Sequence, residues 1–338
     1  MQRSITAPPS ADKAARRSEK AGNPRKDKII KFFRGTRDKN GFIKLLLIYG
    51  LLICIGFIYL YPILHMVTES FMTLRDLQDS SIHWIPSRME TSNYEQAVTL
   101  MDYWPSLWKS FVIAGLPTLC TLVSCSLTGY GLARYKFRGR GVIIGIIVLA
   151  FVLPRQVTMI PTYQLYKELG LTNTLWSLIL PSILAQGLNS SIFILIFWQF
   201  FRMVPQSLVE ASKIDGAGAV RSFFSIALPS AGPAFITVGL FCFVWYWNES
   251  YLTSLYLRMK DANNLVPYWT TLTIQLQNFT SNTSSSAYTS TASSGANRQT
   301  ETIKMAATLL AILPMLIIYF VLQRHFVESI DRTGITGE

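Results

Sequence analysis

Residues 45–64 read LLLIYGLLICIGFIYLYPIL, which is twenty consecutive residues without a charge. A helix of about 20 apolar residues is long enough to cross the roughly 30 Å hydrocarbon core of a bilayer. Half of the 338 residues are hydrophobic, only 15% are charged, and the mean hydropathy is +0.30. Because soluble domains carry about a quarter charged residues, this composition indicates an integral membrane protein and disfavours a soluble one.

Five further apolar stretches follow the first one. Together they predict an all-α polytopic membrane protein with six transmembrane helices, since only internally hydrogen-bonded helices suit such segments. The third stretch is interrupted by Pro154 and Arg155, so that span is expected to be short or bent. Arg155 and Glu249 stand at span ends, where their side chains are expected to reach the membrane interface. The predicted spans are about 45–67, 110–133, 141–166, 186–201, 229–248 and 305–323.

The distribution of basic residues predicts the orientation. Thirteen of the 31 Lys and Arg residues precede Leu45, and the predicted inner loops carry nine in 43 residues against nine in 117 for the outer loops. The positive-inside rule therefore places both termini in the cytoplasm. Residues 1–40 are expected to be a disordered basic tail attracted to anionic lipid rather than to nucleic acid, and residues 41–332 a single transmembrane domain.

Several kinds of chemistry have no sequence signature in this chain. The four cysteines lie in apolar stretches, so neither a disulfide framework nor a Cys-rich zinc module is expected. No glycine-rich loop ending in Gly-Lys-Ser or Gly-Lys-Thr is present, so the chain is not expected to hydrolyse ATP. We predict no catalytic residue, metal site or cofactor. Ionisable residues are almost absent from the spans, which disfavours a proton-coupled carrier.

The predicted inner loop at residues 203–222 carries several helix signals. Ser207 and Glu210 have the spacing of a capping box, so a short helix is expected to start there. Gly216 can supply the left-handed residue that ends it, and a second short helix can follow from Ala217. Such a pair of helices is suited to docking another protein. The alternatives are that Glu210 only caps its own helix and that Gly216 is a plain helix stop.

The same loop resembles that of the membrane permease subunits of bacterial ATP-binding-cassette (ABC) importers. Their motif is Glu-Ala-Ala, three residues, Gly, nine residues, then Ile-x-Leu-Pro. Here Glu210-Ala211-Ser212 is followed at that spacing by Gly216 and by 226–229, Ile-Ala-Leu-Pro, and the one departure is Ser212. Segments 130–139, 245–249 and 323–327 resemble the maltose-transporter-type permeases for sugars.

The resemblance implies an ABC importer permease fold in the bacterial cytoplasmic membrane. It implies partners: a second homologous permease, expected as a heterodimer, two ATP-binding subunits that hold ATP and Mg²⁺, and an extracellular solute-binding protein. It also implies that the loop couples to the ATPase as a coupling helix. The implied coupling residues are Glu210, Ala211, Ser212, Asp215 and Gly216.

Candidate substrate-path residues combine aromatic rings, which stack on sugars, with amides, which bind hydroxyl groups. They are Trp245, Tyr246, Trp247, Asn248, Gln186 and Asn189. The alternative for the aromatic members is an interfacial belt.

Residues 258–300 are predicted to form a long extracellular loop. Its part from Asn278 to Thr300 is expected to be mobile, and Pro267, Tyr268 and Trp269 are candidate contacts to the binding protein. An importer for a non-sugar solute, an autonomous carrier or channel, and a membrane scaffold or sensor remain alternatives for the whole chain.

Overall fold

The computed structural model describes residues 35–36, 39–40, 42–79, 84–214, 216–257, 269–289 and 294–335, and most of these are helical. The predicted all-α architecture is therefore confirmed for the described part of the chain. The chain divides into two units, Met1–Met66 and Val67–Glu338.

The first unit contains a pair of two-residue antiparallel strands and most of the first long helix. Strand β1, Gly35–Thr36, pairs antiparallel with β2, Lys39–Asn40. These four residues are paired in the structure, and the disorder of the tail stays a prediction. Residues 1–34 lie outside the described residues. Helix α1, Phe42–Ser70, contains the predicted first span and continues into the second unit.

The second unit is built from helices of very different lengths. In chain order they are α2 Leu74–Gln78, α3 Ser92–Leu100, α4 Tyr103–Arg134, α5 Arg140–Val152, α6 Arg155–Glu168, α7 Trp176–Ile183, α8 Ser190–Met203, α9 Gln206–Ile214, α10 Ala219–Ser222, the π-helix Phe223–Ala227, α11 Leu228–Ser230, α12 Gly232–Asn248, α13 Tyr251–Tyr256, α14 Leu272–Thr289 and α15 Ser294–Ile335.

Among the described residues, three helical segments are long and apolar enough to cross a membrane alone, and they are Phe42–Ser70, Tyr103–Arg134 and Glu301–Arg324. Three pairs of shorter helices meet that criterion only together. These pairs are α5 with α6, bent by 100°, α8 with the first part of α9, bent by 81°, and Ala219–Ser230 with α12, bent by 78°. Counting each pair as one span gives six spans in the predicted order.

The bend between α5 and α6 lies at Pro154. Of the two alternatives that the sequence left open, a short span or a bent one, the structure shows the bent one. Leu153 is extended, with ψ 125°, which is the conformation expected before a proline. Pro154 also lacks the backbone N–H that would continue the helix. The third predicted span is therefore two helices at nearly a right angle rather than one.

The core of the second unit forms where α4 packs against α7, α8 and α12. The close approach of α4 and α8 depends on Gly129. A Cβ at this position would lie 2.7 Å from Phe197 Cβ and 2.9 Å from the Trp198 backbone nitrogen. Only glycine fits between the two backbones without displacing one of them.

The Ser/Thr-rich stretch expected to be a mobile loop is helical where it is described. Helix α14 runs to Thr289 and α15 begins at Ser294. Leu272 and Ile274 are buried, and the Thr273 hydroxyl donates to the Trp247 carbonyl at 3.0 Å. These tertiary contacts outweigh the weak helix propensity of Ser, Thr and Asn, so the expectation of a loop is corrected for residues 272–289 and 294–300.

The connection after α1 is held by a capping box at the start of α2. Thr73 accepts from the Asp76 N–H at 3.3 Å, and the Asp76 carboxylate accepts from the Thr73 N–H at 3.0 Å and from the Ser87 hydroxyl. Burial raises the pKa of Asp76, but these hydrogen bonds outweigh burial and hold the pKa below its usual value. Asp76 therefore remains an acceptor at neutral pH.

Candidate functional site

The 203–222 loop contains the two short helices α9 and α10, as predicted. Gly216 has φ +77°, and the Ala217 N–H donates to the Ser212 carbonyl at 2.9 Å. This is the bond of a Schellman helix stop, which needs a left-handed residue. Helix α10 begins at Ala219, two residues later than expected.

The predicted capping box in this loop is wrong. Helix α9 begins at Gln206, so Ser207 lies inside its first turn. Val204 is extended before Pro205, whose fixed φ suits a helix start, and the helix begins directly after it. The Glu210 carboxylate instead accepts from the Gln206 side-chain amide at 2.8 Å and is exposed.

Ser212 connects the two short helices. Its hydroxyl lies 2.8 Å from the hydroxyl of Ser222, and both side chains are buried. The residue that departs from the family motif therefore faces the interior of the loop. Asp215, the fifth candidate coupling residue, lies outside the described residues.

The loop is anchored to the helix bundle by Arg134 and by an aromatic cluster. The Arg134 Nη2 donates to the Val204 carbonyl at 2.7 Å. The Tyr130 ring lies 5.4 Å from the Phe201 ring and 5.1 Å from the Phe223 ring. Such edge-to-face packing positions the loop relative to α4 and α8.

Apolar side chains cover much of the outward surface of the loop. Leu208 is 48% exposed, Ile214 87% and Val220 72%, and Ala211 is also exposed. Exposed apolar residues on a rigid projection are characteristic of a protein-binding surface.

A second feature is a cavity of about 490 Å³ beside the bend between α5 and α6. Its wall combines α6, the turn between α7 and α8, the start of α8, and the region from the end of α12 to α13. Three of the six candidate path residues line it, and these are Gln186, Asn189 and Tyr246.

Tyr246 fixes the wall of this cavity at the turn before α8. Its hydroxyl accepts from the Leu188 N–H at 2.9 Å and lies 2.8 Å from the Ser182 hydroxyl. Gly187 permits this arrangement, because a Cβ there would lie 2.7 Å from both the Tyr246 and the Ser182 oxygens.

The other three candidate path residues do not line the cavity. Trp245 packs against Phe193 at 5.1 Å, Trp247 is buried against Phe111 at 5.2 Å, and Asn248 is exposed. Trp247 is not part of an interfacial aromatic belt, because 95% of its surface is buried within the protein.

Sequence reasoning missed several cavity residues as candidates, among them Arg155, Tyr166, Ser190, Glu249 and Tyr256. Arg155 and Glu249 were expected to reach the membrane interface, yet both line the cavity. The Arg155 Nη2 donates to the Asn189 Oδ1 at 3.2 Å and to the Gly187 carbonyl at 3.4 Å. An arginine directly after a proline inside an apolar stretch was the available signal.

Of the three candidate binding-protein contacts, Pro267 and Tyr268 lie outside the described residues. Trp269 is half-buried against a small apolar cluster that includes Ile113, Leu178 and Tyr256. The structure describes no group of three or more metal-ligating side chains within its described ranges.

Comparison with known proteins gives consistent matches. A family profile described as "Binding-protein-dependent transport system inner membrane component" matches residues 126–332. The polygalacturonan/rhamnogalacturonan transport system permease protein YtcP of Bacillus subtilis is 31% identical, over 86% of this chain and 98% of the relative.

Two further relatives and one solved structure agree with these matches. The arabinooligosaccharides transport system permease protein AraQ of Halalkalibacterium halodurans is 28% identical, over 84% of this chain and 93% of the relative. The melibiose/raffinose/stachyose import permease protein MelC of Bacillus subtilis is 25% identical, over 90% and 100%. A bacterial ABC transporter for import of the acidic polysaccharide alginate matches in structure, with a TM-score of 0.68, 22% identity, and coverage of 84% of this chain and 96% of the other.

Proposed function

Because the chain belongs to the family of binding-protein-dependent transport system inner membrane components, we propose that it is the membrane-spanning subunit of an ATP-driven importer for an oligosaccharide or another carbohydrate. It forms half of the translocation path in the bacterial cytoplasmic membrane. ATP hydrolysis is carried out by separate partner subunits.

The carbohydrate assignment is supported by the relatives and by the cavity. The three relatives reported above are named for polysaccharide or oligosaccharide transport. The cavity offers tyrosine rings together with the amide side chains of Gln186 and Asn189. Rings that contact apolar sugar faces and amides that bind hydroxyl groups are the usual components of a sugar site.

The observation that carries the coupling proposal is the architecture of the 203–222 loop. Two short helices are held to each other and to α4, while Leu208, Ile214 and Val220 remain exposed. A rigid loop with an apolar surface can transmit the movement of a docked ATP-binding subunit to the bundle. Glu210, Ala211 and Gly216 lie on its accessible side, whereas the buried Ser212 acts within the loop.

The proposed assembly contains a second homologous permease, two ATP-binding subunits that hold ATP and Mg²⁺, and an extracellular binding protein. The binding protein is expected to contact the region around Trp269. We expect a tagged copy of the chain to co-purify with these partners.

The test is ATP-driven uptake into vesicles by the purified complex with its loaded binding protein, using a panel of oligosaccharides. Uptake that needs ATP and the binding protein supports the proposal. Uptake by this chain without an ATPase would indicate an autonomous carrier, and uptake limited to other solutes would indicate a non-sugar importer.

The orientation of the loop can be tested separately. A cysteine placed at the exposed Ala211, in a protein whose four native cysteines are replaced, should resist an impermeant thiol reagent in intact cells and react in inverted vesicles that lack the ATP-binding subunits. Labelling from outside intact cells would show that the orientation is reversed.

A further inference from the structure

We infer that the cavity beside α6 binds the carboxylate of an acidic sugar, with Arg155 as its cationic partner. This inference rests on the carbohydrate function proposed above and names the chemical class of the substrate.

The first argument concerns the hydrogen-bond partners of the Arg155 guanidinium. Both of its hydrogen bonds use Nη2 and go to neutral oxygens, those of Asn189 and Gly187. A guanidinium has five N–H donors in a planar fork that matches a carboxylate. Within the described ranges, no carboxylate oxygen lies within 4 Å of this group, and Glu249 acts on it only from a longer distance. The guanidinium therefore lines the cavity without an acidic group in direct contact.

The second argument is independent and concerns Ser190. Its side chain is 97% buried, lines the cavity, and has a hydroxyl without a hydrogen-bond partner among the described residues. A buried hydroxyl of this kind costs about 1–3 kcal/mol unless a ligand satisfies it. The hydroxyl oxygen of Ser190 lies beside the Cys125 thiol, so the hydroxyl must rotate to donate to an acceptor that enters the cavity.

The position of Ser190 in the fold favours an anionic acceptor. It is the first residue of α8, a helix of fourteen residues. The start of a helix carries the positive end of the backbone dipole and amide groups that favour negative charge. Arg155 is likewise the first residue of α6, so two helix starts and one guanidinium meet in the same wall.

The remaining wall suits the rest of a sugar. Tyr166 and Tyr256 provide rings, and Gln186 provides an amide. The volume of about 490 Å³ lies within the roughly 300–1,000 Å³ that ligand sites occupy. These groups can accommodate sugar hydroxyls and an apolar ring face while the carboxylate is bound at Arg155.

Glu249 restricts where the carboxylate can bind. It is the one acidic side chain in the wall formed by described residues, and its Oε1 accepts from the Leu252 N–H at 2.9 Å. That bond holds it on the side of α12 and α13. Glu249 also attracts the Arg155 guanidinium across the cavity, so a ligand carboxylate is expected to contact Arg155 on the side that lies away from Glu249.

The experiment measures equilibrium binding to the purified complex in nanodiscs without the binding protein. The two probes are tetragalacturonate and the same oligosaccharide with its carboxyl groups methyl-esterified. The variants are Arg155→Gln, Arg155→Lys and Ser190→Ala. The matched control is Arg138→Gln, which makes the same change at an exposed arginine between α4 and α5.

We expect the wild-type complex to bind the acid at least about tenfold more tightly than the ester. Arg155→Gln should abolish that preference and leave binding of the ester within about twofold. Arg155→Lys should retain part of the preference, Ser190→Ala should weaken binding of the acid a few-fold, and Arg138→Gln should change neither.

Equal binding of acid and ester by the wild type, or no binding of either, would overturn the inference. So would an Arg155→Gln variant that loses both probes to the same extent, because that indicates a structural role. ATP-driven uptake of carbohydrate together with equal binding of the two probes would reject this inference and leave the proposed function standing, whereas absence of any carbohydrate uptake would reject the function itself.

Discussion

The hydroxyl of Ser212 lies 2.8 Å from the hydroxyl of Ser222, and the pair joins the two short helices of the 203–222 loop. Ser212 stands where the family motif has alanine. Its side chain is buried, so the departure from the motif provides a contact inside the loop and leaves the outward surface unchanged.

A double-mutant cycle should show that these two hydroxyls act as a pair. Ser212→Ala or Ser222→Ala alone should destabilise the complex by about 1 kcal/mol, because the other buried hydroxyl loses a partner. The double variant should cost about as much as one single variant rather than the sum. Thermal unfolding of the complex measures this, and strictly additive effects would show that the contact contributes nothing.

Gly216→Val should uncouple ATP hydrolysis from uptake without preventing membrane insertion. Gly216 has φ +77°, and a β-branched residue is strongly disfavoured there. The helix stop should therefore rearrange at a cost of about 1–2 kcal/mol or more. The measurement is the ratio of sugar uptake to ATP hydrolysis.

Gly218→Val is the matched control for that change. Gly218 has φ −68° and ψ 173°, which valine adopts readily, and a Cβ there meets nothing within 4 Å. Its uptake should be near normal. Normal uptake by Gly216→Val at normal abundance would contradict the proposed role of the turn.

Tyr246→Phe should lower the stability of the complex by about 1–3 kcal/mol. The change removes the acceptor of the buried Leu188 N–H and the partner of the Ser182 hydroxyl. Tyr251→Phe, at a side chain that is 62% exposed, is the control. If the two variants unfold at the same temperature, Tyr246 does not hold the turn before α8.

Gly129→Ala should destabilise the contact between α4 and α8 by about 1–3 kcal/mol, because the added methyl group would overlap the Phe197 Cβ and the backbone of Trp198. Gly131→Ala in the same helix has open space and should be neutral or slightly stabilising. Thermal unfolding compares them, and equal melting temperatures would mean that the bundle tolerates the overlap.

Trp269→Ala should weaken stimulation of the ATPase by the loaded binding protein more than deletion of residues 280–296 does. Trp269 is an aromatic residue at the start of the segment that leads into α14. The deletion leaves the buried Leu272, Ile274 and Ile303 in place. Because Trp269 also packs within the chain, Trp269→Phe is the control for lost packing. The opposite ranking would place the contact in the deleted half.

Features with a local cause could be predicted from the sequence. A run of twenty apolar residues needs lipid or protein around it wherever it lies, so the six apolar segments were recognisable. Gly216 was predictable as a helix stop because a left-handed residue is nearly always glycine. Pro154 was predictable as the place of a bend, because proline interrupts helix hydrogen bonding whatever surrounds it.

The helix in the Ser/Thr-rich stretch and the start of α9 could not be predicted. Local propensity argues against α14, which is anchored by Leu272 and Ile274 in the core. Ser207 and Glu210 have the spacing of a capping box, which predicts Leu208 as the first helical residue, but the helix begins directly after Pro205, at Gln206, two residues earlier. In α14 the tertiary contacts outweigh the local helix propensity. In α9 the preceding proline outweighs the capping-box signal.

The sequence by itself determined that this protein is an all-helical membrane protein of the permease family, because apolar runs and motif spacing are properties of the chain. Only the tertiary structure decided which side chains share a site. Arg155, Asn189 and Tyr246 are up to 91 residues apart and line one cavity because α6, α8 and α12 converge there. These residues come together through helix packing, to which Gly129 and Gly187 contribute. No pattern of residues along the chain predicts that packing.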